Sequence, residues 1–340
     1  MSRAKAKNLA NSNLINVKNL TKKYGKFCAV DNISLSVQKG EIIGFLGLNG
    51  AGKSTTMDML TGCLSMTSGT IEIGGYDILK NPLEAKKLIG YLPDVPPLYG
   101  YMSVVDYLKY VCELKGVKDV KGEVEKVISK TGLEEKKNKL NSTLSKGYKQ
   151  RVGIAQALVG DPDLVILDEP TSGLDPAQVV RVRNLFKTLS KSHTVILSTH
   201  ILSEVEQICD RILIINKGRI IANDIRQNLV SEGKVMYSVR VFCQNSDDIF
   251  NAIKEADESF QVKNLVKLSG GVVEFNLEIP EKIQENEIYL KVSKALIASN
   301  ISVLQFKNVS QSLEKIFLNL VENDNAQLSD TEIEKKGVEV

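Results

Sequence analysis

No stretch of this chain stays apolar for the roughly 18 to 20 residues that a membrane-spanning helix requires. Met1 to Asn13, although basic, lacks the apolar segment of a secretion signal. Direct membrane insertion is therefore not expected. Nor does one sign of charge dominate: 44 Lys and Arg against 41 Asp and Glu leave +3, too even a balance for nucleic acid as the obligate partner. Five cysteines, Cys28, Cys63, Cys112, Cys209 and Cys243, contain no CxxC pair and no even set for a disulfide framework. They read as reduced, small hydrophobic side chains of a cytoplasmic protein rather than metal ligands. Sustained heptads are also missing, which excludes a long coiled coil. What remains, 340 residues of which 43% are hydrophobic and 25% charged, is ordinary globular chain, long enough for a large core and a second domain.

The stretch that organises the rest is GLNGAGKST: Gly47, Leu48, Asn49, Gly50, Ala51, Gly52, Lys53, Ser54 and Thr55. Before it, EIIGFL from Glu41 to Leu46 reads as a short buried strand. After it, Thr55 to Leu64 is compatible with a helix that closes near Gly62. A glycine-rich turn between strand and helix points successive backbone N–H groups inward, and the helix start adds about half a positive charge. Phosphate oxygens fit such a cradle. Lys53 would bridge β and γ phosphates, and Ser54 would hold Mg²⁺.

Upstream, Leu14 to Leu20 and Ile33 to Val37 alternate as strands, and Thr70 to Ile73 adds a third, giving an antiparallel layer. Tyr24, before Gly25 in the turn, is either a stacking platform for a nucleobase or a core residue. Ile89 to Pro97, IGYLPDVPP, runs from a strand into a proline-rich loop with Asp94 at its turn. Ser103 and Asp106 form a capping box, and helical patterns continue through Glu123 to Thr131, making residues 95–158 a helical insert. In LSKGYKQR, Ser145 and Gly147 stand at a helix N-terminus, which is either a plain cap or a second anion-ready site. LVIL, Leu164 to Leu167, is a buried strand ending in Asp168 and Glu169, at the edge where ligands bind in open α/β sheets. Asp175 and Pro176 cap the next helix. TVIL, Thr194 to Leu197, leads to His200, and His193 in the preceding polar turn reads as exposed.

Together these motifs resemble the ATP-binding cassette ATPases over about Leu14 to Ser231. The resemblance implies a P-loop NTPase fold with a RecA-like α/β core, an antiparallel β layer and a helical insert. It implies ATP and Mg²⁺ as cofactors, Tyr24 as the adenine-stacking residue and Asp94 in the loop that usually carries glutamine. LSKGY stands for the family signature LSGGQ, Asp168 for the metal-supporting carboxylate, Glu169 for the catalytic base and His200 for the switch histidine. Catalytic roles accordingly fall on Glu169, His200, Lys53 and Asp94, nucleotide binding on Tyr24, Gly47 to Thr55, Ser145 and Gly147, and metal binding on Ser54, Asp94 and Asp168. Cassettes of this family pair head to tail, so a second ATPase subunit, a copy or a related chain, is implied, with Ser145 and Gly147 completing the partner's phosphate site. Asp94 for glutamine, Lys146 and Tyr148 in the signature, and Leu48 for a common proline depart from the family pattern.

Residues 233–322 carry strand and helix patterns in the order βαββαβ, which predicts a small α+β ferredoxin-like domain. Its position and the ending SLEKIF resemble the accessory domain of ATPases serving the multidrug, antibiotic and gliding-associated type of exporter. Residues 1–13 and 323–340 read as polar, disordered tails around a cassette spanning 14–232. The leading expectation is a cytoplasmic ATPase subunit, peripheral at the inner membrane face through separate integral-membrane transporter subunits. The alternative is a soluble or regulatory cassette acting on a ribosome, DNA or a membrane-protein partner. Only 92 residues separate Lys53 and Ser145, which leaves no room for the long coiled coil of DNA-repair types.

Overall fold

The computed structural model describes residues 13–189, 192–225, 234–243, 245–280 and 285–308, with short pieces between 313 and 325. The expectations for 1–12 and 326–340 lie outside the described residues. Two compact units emerge among the described residues, one within 13–224 and the other within 225–322.

The first unit opens with a long hairpin, β1 (Asn13–Tyr24) and β2 (Phe27–Gln38). Strand β3 (Ile42–Leu46) then runs into α1 (Lys53–Leu60), which starts two residues earlier than its apolar pattern suggests. Strands β4 (Ser68–Ile73) and β5 (Tyr76–Asp77) complete an antiparallel sheet of order β2-β1-β4-β5. A short helix α2 (Pro82–Lys87), with no counterpart in the sequence reading, has proline in its first turn, where no N–H is required, and leads into β6 (Ile89–Leu92).

The insert follows as α3 (Val104–Leu114), α4 (Val120–Thr131) and α5 (Lys146–Leu158). Ser103 caps α3 by accepting from the Asp106 N–H at 3.2 Å, as the capping box predicts. Strand β7 (Leu164–Asp168), helix α6 (Pro176–Leu189), strand β8 (Thr194–Thr199), helix α7 (Leu202–Ile208) and the hairpin β9 (Arg211–Asn216) and β10 (Arg219–Ile225) close the second sheet, of order β10-β9-β3-β8-β7-β6. This hairpin is not among the expected elements, although Lys217 and Gly218, at φ 44° and 80°, are a two-residue turn of the kind that joins antiparallel strands.

Strands β9, β3, β8, β7 and β6 are parallel neighbours. Every residue of β3, β7 and β8 is buried, the signature of strands covered on both faces. One continuous core joins Val17, Leu20, Ile33 and Ile71 of the antiparallel layer to Phe45, Ile166, Ile196 and Leu213 of the parallel sheet, with Met57 and Met59 of α1 between them. Each such side chain contributes about 1.5–3 kcal/mol by burial. His193 is also buried, only 3% exposed, against the expectation of an exposed turn. Its Nδ1 lies 2.7 Å from the Pro162 carbonyl oxygen, a neighbour distant in sequence.

At Gly90 in β6, an added Cβ would lie 1.9 Å from the backbone oxygen of Ala157 in α5. Backbone cannot yield as a side chain can, so Gly90→Ala is expected to destabilise the protein by about 1–3 kcal/mol. A urea midpoint equal to that of the parent would show that α5 does not pack so closely on β6.

The second unit comprises β11 (Lys234–Phe242), α8 (Asp247–Ala256), β12 (Gln261–Lys267), β13 (Val272–Pro280), α9 (Glu285–Ala298) and β14 (Ser302–Asn308). Its sheet is antiparallel with order β12-β13-β11-β14, the βαββαβ arrangement expected of a ferredoxin-like module. Tyr237, Val239, Phe275 and Leu277 of its inner strands pack with Ile249, Ile253, Ile288 and Val292 of the helices.

Candidate functional site

The C-terminal ends of four parallel strands bring the chemistry together. Leu46 of β3 is in register with Thr199 of β8, Asp168 of β7 with Ser198 of β8, and Leu92 of β6 with Leu167 of β7. The glycine-rich loop, the Asp94 loop, Glu169 and His200 therefore leave the sheet along one edge. They surround a cavity of about 550 Å³ lined by Tyr24, Asn49, Gly50, Gly52, Lys53, Ser54, Thr55, Asp94, Glu169 and His200, together with Phe27, Ala29 and Ser172.

The loop is shaped by constraints on its backbone. Gly52 stands at φ 106°, and a Cβ there would lie 2.6 Å from the Ala29 oxygen, so no other residue fits without moving β2. The Ala51 carbonyl accepts from the Gly218 N–H at 2.9 Å, which ties the loop to the β9–β10 turn. Lys53 is 6% exposed, and its Nζ donates to the carbonyls of Gly47 at 2.9 Å and Leu48 at 3.3 Å. Its ammonium is also 3.4 Å from Glu169 Oε1. Gly47, Leu48 and Ala51 thus contribute through their backbone and do not line the cavity.

Glu169 holds a left-handed backbone conformation, φ 46°, uncommon for a residue with a Cβ. Its N–H donates to both the oxygen and Oγ of Ser198, each at 3.1 Å, and the carboxylate lies 3.0 Å from His200 Nδ1. Asp168 is buried behind the cavity wall, hydrogen-bonded by the Ser198 hydroxyl. Burial holds its carboxyl above the usual range, the Ser198 and Ser54 hydroxyls oppose that rise, and the charges of Glu169 and Asp94 reinforce it. Three carboxylates thus converge beside one lysine, a balance that a divalent cation would correct. Among the described residues there is no cluster of three or more His, Cys, Asp or Glu suited to holding a metal alone. Ser54, Asp168 and Asp94 are the hard oxygen donors that a magnesium ion would take, with phosphate oxygens and water completing its shell.

Two further residues stand out only in the structure. Phe27, 64% exposed, is the cross-strand partner of Tyr24, itself 50% exposed, so the hairpin tip offers two aromatic faces at the cavity mouth. Tyr24 is thereby placed at the site and not in the core. Glu204 is buried outside the cavity lining, where Thr171 Oγ1 donates to it at 2.6 Å and Thr199 Oγ1 at 3.2 Å. A glutamate four residues beyond His200 carries no signal for this, since its partners come from two other strand ends.

Ser145 and Gly147 do not line the cavity. Ser145 caps α5, yet its side chain makes no capping hydrogen bond and remains exposed. Gly147 is buried beneath Gln178 of α6, whose own N–H is capped by Asp175 at 2.9 Å. Tyr148 lies between Arg151, 5.0 Å from its ring centre, and Lys136 at 5.4 Å.

Known proteins share this architecture. The family model described as ABC transporter matches residues 30–172. The bacitracin transport ATP-binding protein BcrA of Bacillus licheniformis is 33% identical over 312 residues, 91% of this chain and 98% of its own length. The linearmycin resistance ATP-binding protein LnrL of Bacillus subtilis is 34% identical over 312 residues, 90% and 98% of the two chains. A solved ATP-binding subunit of an ABC transporter superposes with a TM-score of 0.59 at 31% identity, covering 64% of this chain and 91% of that one. With the phosphate loop, the paired carboxylates and the histidine meeting at one sheet edge, and with relatives aligned over nearly their whole length, the chain belongs to the ATP-binding ATPase subunits of ABC transporters.

Proposed function

We propose that this chain powers an exporter of the antibiotic-resistance type, as one of two cassettes that close on ATP and drive separate membrane-spanning subunits. The observation that carries the paired mechanism is the position of Ser145: exposed at a helix start, its hydroxyl free of any capping bond, outside its own chain's cavity. A second subunit, identical or related, would bring that helix start to the γ-phosphate. The exporter reading rests on the relatives, named for bacitracin transport and linearmycin resistance, whose similarity extends past the cassette into the second unit. Among the described residues no helix is long and apolar enough to cross a membrane, so attachment to the inner face would come through the partners.

In this reading Tyr24 and Phe27 stack on the adenine, and the loop amides with Lys53 hold the phosphates. Ser54, Asp168 and Asp94 would hold Mg²⁺, which supplies charge to offset that on the β and γ phosphates. Glu169 takes the proton of the attacking water, and His200, already held by Glu169, donates a hydrogen bond to the γ-phosphoryl oxygens. Isolation of the chain from native membranes, with identification of what accompanies it, tests the assignment. Membrane subunits recovered in stoichiometric amount support it; recovery with ribosomes or DNA alone would overturn it.

A second reading, a regulatory cassette that hydrolyses ATP poorly, is favoured by Asp94. Its carboxylate accepts but cannot donate, and it is one methylene shorter than glutamine. Anionic and close to the proposed metal, it should make hydrolysis depend more steeply on Mg²⁺ than glutamine would. Asp94→Gln is therefore expected to flatten the Mg²⁺ titration and to raise turnover. Identical titrations for the two proteins would show that the departure is silent.

A further inference from the structure

Away from the nucleotide cavity, a second one of about 490 Å³ lies where the helical insert meets the core, within the usual size range for small-ligand pockets. Its walls come from the end of α4, from Arg151 in α5, and from α6 with Ser192 beyond it. Three cations, Lys130, Arg151 and Arg181, line it, and none of the twelve described lining residues is acidic. Lys130 has a distant pairing, 3.8 Å from an Asp161 carboxylate that is itself largely exposed. Arg151 is the informative one. It is 7% exposed, yet among the described residues its guanidinium has only a 3.5 Å contact to the Gly132 carbonyl and the face of Tyr148. A buried guanidinium without a carboxylate is costly unless an anion meets it, and its planar fork suits two oxygens of one phosphate. Helix α6 adds an apolar strip of Val182, Leu185 and Leu189 beside its polar lining residues Arg181, Asn184 and Thr188.

We propose that this cavity is a binding site for a small phosphorylated organic molecule, its phosphate held by Arg151 and Arg181 and its carbon skeleton resting on the α6 wall. The ligand would join α5, capped by Ser145, to α6, which begins just after the Ser172–Asp175 loop, so on the paired reading proposed above an effector here touches both the helix offered to the partner's γ-phosphate and the helix that follows Glu169. The assignment does not depend on what the transporter carries.

Phenyl phosphate and inorganic phosphate serve as probes, titrated calorimetrically into the full chain saturated with Mg-ADP so that the first cavity is filled. Phenyl phosphate should bind one per chain and at least ~10-fold more tightly than inorganic phosphate, because only it uses the apolar strip. Arg181→Glu, an exposed substitution that keeps the fold, should weaken phenyl phosphate at least ~10-fold while ATP hydrolysis is unchanged. Leu185→Arg should remove the preference for phenyl phosphate over inorganic phosphate. Equal affinity in the parent and Arg181→Glu, or no binding by a parent that still binds ATP, would overturn the proposal.

Discussion

Glu169→Gln is expected to slow ATP hydrolysis by about 10² to 10⁴, the usual cost of losing a general base, while ATP binding persists. Glutamine keeps the size of the side chain and an oxygen that can still face His200, but it cannot take a proton. The position itself should survive the change, because the backbone of Glu169 is fixed by the two hydrogen bonds from its N–H to Ser198. The unhydrolysed nucleotide should then hold two cassettes together, since a ligand bound between two chains stabilises their complex by mass action. Light scattering is expected to show a dimer with Mg-ATP and a monomer with Mg-ADP. Adding Ser145→Arg should dissolve that dimer and leave nucleotide binding by the single chain intact. Undiminished hydrolysis would remove Glu169 from its role. A dimer that persists in the double variant would return Ser145 to a plain helix cap.

The parts of the site that were legible in the sequence are those whose geometry is local. The Gly47–Thr55 loop lies between its own strand and helix, and Asp168 and Glu169 end an apolar run, so neighbours along the chain are enough to define them. What was missed depends on pairing across strands. Phe27 gains its place only because it faces Tyr24 in the β1–β2 register, and Glu204 because Thr171 and Thr199 arrive from β7 and β8. His193 is surrounded by polar residues in sequence and by Pro162 and the sheet in space. The β9 strand, RILIIN, is a short apolar run that periodicity alone does not separate from a buried helix. Its turn residues, Lys217 and Gly218, were the available signal.

The second large effect is expected at Lys53. Among the described lining residues it is the one lysine or arginine in a cavity that also holds Asp94 and Glu169, with Asp168 behind them. Lys53→Ala therefore removes the positive charge nearest the phosphates and leaves Glu169 without its partner at 3.4 Å. Losing a charge-assisted contact to phosphate costs about 1.5–3 kcal/mol, which corresponds to roughly 10- to 10²-fold in affinity. The fold is expected to hold, because among the described residues the Lys53 side chain bonds only carbonyls of its own loop and Glu169. Part of the loss should come from the stranded carboxylate repelling the triphosphate, and that part is recoverable. In Lys53→Ala combined with Glu169→Gln, ATP affinity should rise above that of Lys53→Ala alone, giving a coupling in the double-mutant cycle well outside the 0.3–0.5 kcal/mol or so seen for independent sites. Equilibrium binding of a fluorescent ATP analogue to the four proteins, each first shown to unfold at a similar temperature, makes the measurement. Near-parental affinity in Lys53→Ala would deny the loop its phosphate, and strict additivity would mean that Lys53 and Glu169 act on ATP separately despite their contact.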